Sequence, residues 1–163
     1  MVNYPKTATG WGVTSVDELV KMIDKDFEYT GHDINDELIQ IFVRSVRPEA
    51  RCPYCGNSTN KVHSVYFRKF RDLPIQDKKV EIVINNRKFF CLNKDCTHKT
   101  FAETFECLPK IGRRSVRLTK TIINTATNLS SVAASKTLKY GTADIGKSTI
   151  CRLLKKELHN QKG

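Results

Sequence analysis

Two stretches decide how this chain folds: RCPYCGNSTNKVHS at Arg51–Ser64 and RKFFCLNKDCTHKTF at Arg87–Phe101. Each carries a close pair of cysteines, Cys52 and Cys55 in the first, Cys91 and Cys96 in the second. The two residues inside the first pair let both sulfurs point into one site from a tight turn, and Gly56 permits the left-handed backbone such a turn needs. Between the pairs, KVHSVYFRKFRDLP and KKVEIVINNRKFFC read as two strands joined near Pro74 and Asp77, where turn-forming residues gather. Val80, Ile82 and Ile84 share one face of the second strand, so a half-buried antiparallel pair is expected. Such a hairpin would bring the distant cysteines together. Tetrahedral Zn²⁺ takes thiolates at about 2.3 Å, and the spacing therefore points to a structural Zn²⁺ held by Cys52, Cys55, Cys91 and Cys96.

Other readings of the same residues compete with this one. His98, two positions after Cys96, could replace a cysteine as ligand, whereas His63 lies mid-strand and reads as a surface or hydrogen-bonding side chain. A redox role for Cys52 and Cys55 would need the strand–helix junction of a βαβ unit, which the pattern does not offer. A catalytic zinc needs an open coordination position, and four thiolates leave none. Cys107 and Cys151 read as small apolar fillers. The opening MVNYPKTATGWG lacks an apolar leader, which suggests a reducing compartment where paired cysteines hold metal. With no apolar run near the roughly 18 residues that span a bilayer, the expectation is a soluble cytoplasmic protein with no membrane partner.

The net charge of +11 is uneven. Residues 1–47 carry 5 Lys/Arg against 8 Asp/Glu, residues 48–110 carry 12 against 7, and residues 111–163 carry 11 against 2. A positive field at one end attracts nucleic acid or an anionic membrane surface, and it is also a common general surface property of basic proteins. These steps suggest three units: an acidic helix–strand segment (1–47), a zinc-binding β module (48–110) and a basic helical domain (111–163). The expected class is α+β, with a small N-terminal α/β segment, an antiparallel zinc-ribbon-like module and three C-terminal helices.

In the first unit, Ser15 and Glu18 form a capping-box pattern ahead of Leu19, Met22 and Ile23, predicting a helix over Val16–Lys25. ELIQIFVRSVRP alternates as a strand and closes at Pro48. The acidic residues around it read as solvent-facing. In the last unit the first helix carries Leu118, Ile122 and Ala126 inward with Ser115 as its cap. The second starts at Ser130 or Ser131, turns Val132, Ala133 and Leu138 inward, and stops at Tyr140–Gly141, where glycine suits a C-cap. The third starts near Gly146 with Ile150, Leu154 and Leu158 on one side. Its other side presents Lys147, Ser148, Thr149, Arg152, Lys155 and Lys156: donors for base edges first, then charge for phosphates, as a recognition helix in a major groove requires. Arg113, Arg114, Arg117 and Lys120 around the first helix would add backbone contacts. A solvated lysine-rich bundle face is the plainer alternative, and the turn before the third helix is longer than the usual three or four residues.

Taken in order, CPYCGNSTNKVHSVYFRKFRDLP, RKFFCLNKDCTHKTFAE, GRRSVRLTK and DIGKSTICRLLKK resemble the N-terminal half of insertion-sequence transposases of the ISL-three type, over roughly Glu37–Leu158. The resemblance implies a cysteine zinc module followed by a helix-turn-helix domain, recognising the terminal inverted repeats of the element in double-stranded DNA. It places the metal ligands at Cys52, Cys55, Cys91 and Cys96 and the reading helix at Ser148–Lys156. The family's RNase-H-like catalytic domain, with its metal-binding carboxylate triad, should begin after RLLKKEL. Here the last 53 residues hold only Asp144 and Glu157 as acids, whereas two-metal phosphoryl transfer needs several converging carboxylates. The expectation is thus a non-enzymatic, nucleoid-associated bacterial DNA binder, as a homodimer or beside a separate catalytic chain. The competing expectations are a stand-alone transcriptional regulator or transposition repressor, and a zinc-scaffolded protein-interaction module.

Overall fold

A computed structural model describes residues 15–160. The opening MVNYPKTATGWG lies outside them, as does the side chain of Ser15 on which the capping-box reading depends. The elements are α1 (Ser15–Ile23), β1 (Phe27–Ile34), β2 (Leu38–Ser45), β3 (Ala50–Arg51), β4 (Ser58–Thr59), β5 (Val62–Ile75), β6 (Lys78–Phe90), β7 (Thr100–Ala102), α2 (Val116–Thr127), α3 (Ser131–Lys139) and α4 (Lys147–Asn160). The described residues are mixed α+β, with a mostly antiparallel sheet, four helices and a zinc ribbon. No described helix is long and apolar enough to cross a membrane.

The β5–β6 hairpin forms as its alternation requires, with Phe70 opposite Ile82 and Arg71 opposite Glu81. Gln76 and Asp77 close it at φ of 48° and 63°. Two positive φ values at the corner are those of the type I′ turn, whose twist matches that of the strands it joins. Val80, Ile82 and Ile84 are buried on one face, as expected. Ile82 and Ile84 meet Val20, Phe27, Val43, Phe70, Phe105 and Leu108 in the main core.

That core includes residues from both sides of residue 47. β2 pairs in parallel with β6, Ile41 opposite Ile82, and β1 pairs antiparallel with β2, giving the order β1-β2-β6-β5. β1 had no counterpart in the sequence reading. Its sequence, FEYTGHDI, is mostly polar, and a bulge between Tyr29 and Gly31 breaks the two-residue rhythm. Nor are the acidic residues of this region simply solvated. Asp26 pairs with Arg47 and Glu28 with Arg44, while Asp17 accepts the Tyr29 N–H at 3.0 Å.

The C-terminal helices share a second core of Leu118, Ile122, Ala126, Ala134, Leu138, Ile145 and Ile150. Ser115 caps α2 as expected, its Oγ accepting the Leu118 N–H at 3.1 Å. Ser130 caps α3 in the same manner. On α3 it is Ala134, not Val132 or Ala133, that joins Leu138 in the core; Val132 is 50% exposed and Ala133 half-buried, because the i, i+4 repeat counts from Leu138 back to Ala134. The helix ends on Tyr140 in right-handed geometry rather than on a left-handed Gly141. Leu158 is 59% exposed, since α2 and α3 cover α4 only as far as Leu153 and Leu154. The long connection before α4 is packed: Ile145 is buried, and its carbonyl accepts the Ser135 hydroxyl at 2.6 Å.

The helical unit is tied to the hairpin. Arg71 N–H donates to the Arg113 carbonyl and Ser115 N–H to the Arg71 carbonyl, each at 2.8 Å. Below that clamp lies Asp72, which is buried and accepts from the Ser115 hydroxyl at 2.6 Å and from Arg117 Nε at 2.7 Å.

Candidate metal centre and nucleic-acid interface

Cys52 and Cys55 sit on the knuckle between β3 and β4. Gly56, at φ of 78°, donates its N–H to the Cys52 carbonyl at 2.9 Å, and Cys52 N–H donates to the Asn57 carbonyl at 2.9 Å. The left-handed glycine read from the sequence is therefore what closes the turn. Cys91 follows β6 directly and is fixed by its N–H to the Lys99 carbonyl at 2.8 Å, while Cys96 donates its N–H to the Asn93 carbonyl at 3.3 Å. The hairpin folds these two knuckles onto each other.

All four Sγ atoms lie within 4.8 Å of one another. Cys52 to Cys96 is 3.9 Å and Cys55 to Cys91 is 3.5 Å. A disulfide would require about 2.05 Å. The edge of a ZnS₄ tetrahedron with bonds of about 2.3 Å is about 3.8 Å, so the quartet has the dimensions of a structural zinc site. Without a cation the thiols are unequal: the Asn57 N–H draws Cys55 down to about 7, while burial pushes Cys91 up to about 12. A divalent cation supplies the charge that four adjacent thiolates need.

Neither histidine joins the quartet. His98 stacks face to face on Tyr54 with ring centroids 3.4 Å apart, and His63 packs edge-on against Phe90 at 4.7 Å. Cys107 packs against the main core, its thiol pushed up to about 12 by burial and then by Asp24, a neutral filler as expected. Cys151 is exposed, contrary to that expectation. The ribbon's own apolar core is small: among the described residues, Ala50, Phe89 and Phe101 accompany the buried ligands.

Behind the ribbon lies a buried polar network that sequence reasoning missed. Glu103 accepts from Arg87 Nε at 2.9 Å, from Arg87 Nη2 at 2.8 Å and from the Ser45 hydroxyl at 2.6 Å. This bidentate pair joins β2, β6 and the end of β7. Its partners are far apart in sequence, and no local spacing announces them.

The basic residues singled out in the sequence divide between two places. On α4, Lys147, Ser148, Arg152, Lys155 and Lys156 are exposed and Thr149 is half-buried. None of its four cations is ion-paired with a described residue. Arg113 is exposed and Arg114 half-buried. Burial, followed by the positive charges of Arg71 and Arg152, lowers the Arg114 pKa, so Arg114 lies within the field of α4. Arg117 and Lys120 instead line a pocket of about 410 Å³ with Met22 and Glu106. Arg117 is committed to Asp72.

The fold and the quartet thus define a protein built around a structural Cys₄ zinc ribbon. Residues 48–96, a span containing all four ligands, match a family described as the zinc-finger of transposase IS204/IS1001/IS1096/IS1165. The match supports the ISL-three transposase family for the ribbon. No curated protein and no solved structure matches the chain.

Proposed function

We propose that the protein is the DNA-recognition part of a transposase: the zinc ribbon braces a helix-turn-helix formed by α2–α4, and the exposed side of α4 reads the terminal repeats of the element. The observation that carries this reading is the unpaired cationic face of α4, set on the same chain as a transposase-type ribbon. Arg152 lies one turn beyond Ser148, where a guanidinium can address guanine O6 and N7 in the major groove. Lys155 and Lys156 follow as phosphate contacts. Arg113, Arg114 and exposed Lys120 would extend the contact, whereas Arg117 is held by Asp72. In this reading strand cutting belongs to carboxylates supplied by another segment or chain, and a homodimer would place two α4 helices on paired half-sites.

Binding of the intact, zinc-loaded protein to an element-end duplex and to a random duplex at fixed salt tests the reading. Arg152→Ala should weaken the element-end complex by about 1–3 kcal/mol more than the random one. Replacing Lys155 and Lys156 should weaken both alike and reduce the salt slope by about one unit each. Equal losses on the two duplexes for Arg152→Ala remove its reading role. A chain with no salt-sensitive duplex binding is instead a protein-interaction module.

A further inference from the structure

The cationic surface does not stop at α4. On β5, Phe67, Lys69 and Arg71 fall at alternate positions and so share one face, the face opposite buried Phe70 and Asp72. With Arg113 and Arg114 they line an open groove of about 640 Å³ on the hairpin. The backbone clamp between Arg71 and Arg113–Ser115 holds the two arginine-bearing segments side by side. Phe67 is 72% exposed at the groove's edge, an aromatic ring that no core accounts for. The single carboxylate in the lining, Glu81, is already engaged by Gln40 Nε2 at 2.9 Å and by Lys69 at 3.9 Å. Arg71, Arg113 and Arg114 have no acidic partner among the described residues.

Like charges gathered without counter-charges repel each other, and the arrangement becomes favourable when an anion joins it. Arginines suit phosphate in particular, because the guanidinium fork binds two oxygens at once. A single small anion would need only two or three of these groups. Here four cations, Lys69, Arg71, Arg113 and Arg114, line one groove, and Arg114 feels the charge of Arg152 on α4 as well as that of Arg71, which fits a chain of phosphates and not one.

We infer that the β5 face bearing Phe67, Lys69 and Arg71 is a second duplex-DNA contact surface, continuous with α4, that grips the phosphate backbone flanking the stretch α4 reads. This rests on the proposed reading of α4. Lys69 and Arg71 supply charge, and Phe67 packs on the deoxyribose edge between phosphates. Sequence-independent grip is the expected contribution, because the groove offers charge and an apolar ring but no set of base-edge donors.

The test is fluorescence anisotropy of the zinc-loaded full chain on a random-sequence duplex about three helical turns long, titrated with salt. Lys69→Gln with Arg71→Gln should lower the slope of log affinity against log salt by about two units, with affinity falling on the order of ten-fold at physiological salt. Phe67→Ala should cost a few-fold with the slope unchanged. Asn85→Glu, which puts a carboxylate on the exposed neighbour opposite Phe67 on β6, should weaken binding by repulsion without removing any groove residue. Unchanged zinc stoichiometry and melting temperature show that each variant is folded. If the groove variants keep the wild-type slope while Lys155→Gln with Lys156→Gln loses it, the groove inference is overturned and the α4 reading stands. If the groove variants lose slope and the α4 pair does not, the groove is a duplex site and the α4 reading falls. A wild-type chain without salt-dependent binding overturns both.

Discussion

The zinc ribbon and the C-terminal helices are of comparable modest size, yet they are held together by different physics. Half of the ribbon's buried cluster consists of metal ligands, with Phe89 and Phe101 as its only large side chains. The helical cluster contains no ligand and no polar side chain: seven aliphatic residues drawn from α2, α3, the connection and α4 fill it. Burying hydrocarbon stabilises by small increments, about 25 cal/mol per Å². One ion closing four thiolates acts in a single step. A small module can therefore expose most of its surface when an ion closes it, and the ribbon does so, leaving Tyr54, Tyr66 and Leu92 in solvent.

The largest expected effect breaks this contrast open. Stripping zinc with a chelator under reducing conditions should remove on the order of 10 kcal/mol of apparent binding free energy from the ribbon. Amide NMR signals of residues 50–59 and 91–101 should collapse, while those of α2–α4 stay dispersed. Ribbon signals that survive metal removal would show that the apolar cluster suffices alone. The next effect concerns the joint between the two regions. Arg117→Ala leaves the Asp72 carboxylate buried with only the Ser115 hydroxyl beside it. Breaking a fully buried pair costs about 3–5 kcal/mol. Arg117 is half-exposed and solvent screens it, so about 2 kcal/mol is expected in chemical denaturation. Asp72→Ala combined with Arg117→Ala should cost less than the sum of the single changes. DNA affinity should scarcely move, because Arg117 faces Asp72 and not the α4 surface.

The same contrast explains what the sequence made legible. The ligands were readable because a metal knuckle is local: two cysteines, a short spacer and Gly56 suffice, and the hairpin bringing the pairs together is written in the alternation of Val80, Ile82 and Ile84. Leu118, Ile122 and Ala126 were readable for the same reason, as was the Ser115 cap. What escaped was non-local. β1 shows no rhythm because its bulge and polar residues hide it, and it becomes a strand only through pairing with β2. The Glu103–Arg87–Ser45 network joins three distant segments. Arg117 reads from its neighbours as one more cation in a basic run, and only Asp72, 45 positions earlier, shows that it is a strut. Val132 was misplaced because α3 is short and weakly amphipathic, so apolar identity outweighed the register set by Leu138.

The smallest effect concerns two serines with the same local job. Ser130 and Ser115 each accept an N–H at the start of a helix, at 3.2 Å and 3.1 Å. Ser130 is exposed and its hydroxyl makes no other hydrogen bond among the described residues, so Ser130→Ala should cost about 1 kcal/mol, the ordinary worth of an N-cap. Ser130→Asp should restore it, because aspartate caps equally well. Ser115 also donates to buried Asp72, so Ser115→Ala removes a partner from a buried carboxylate and should cost more, and Ser115→Asp should not rescue it, since it sets a second carboxylate against the first. Melting curves of the four variants, read with zinc content, separate a purely local cap from one that also locks the helices to the hairpin. Zinc stoichiometry should stay constant throughout; a Ser130 variant that sheds its ion would mean that the two regions fold as one unit, and the division between ion-held and oil-held halves would not stand.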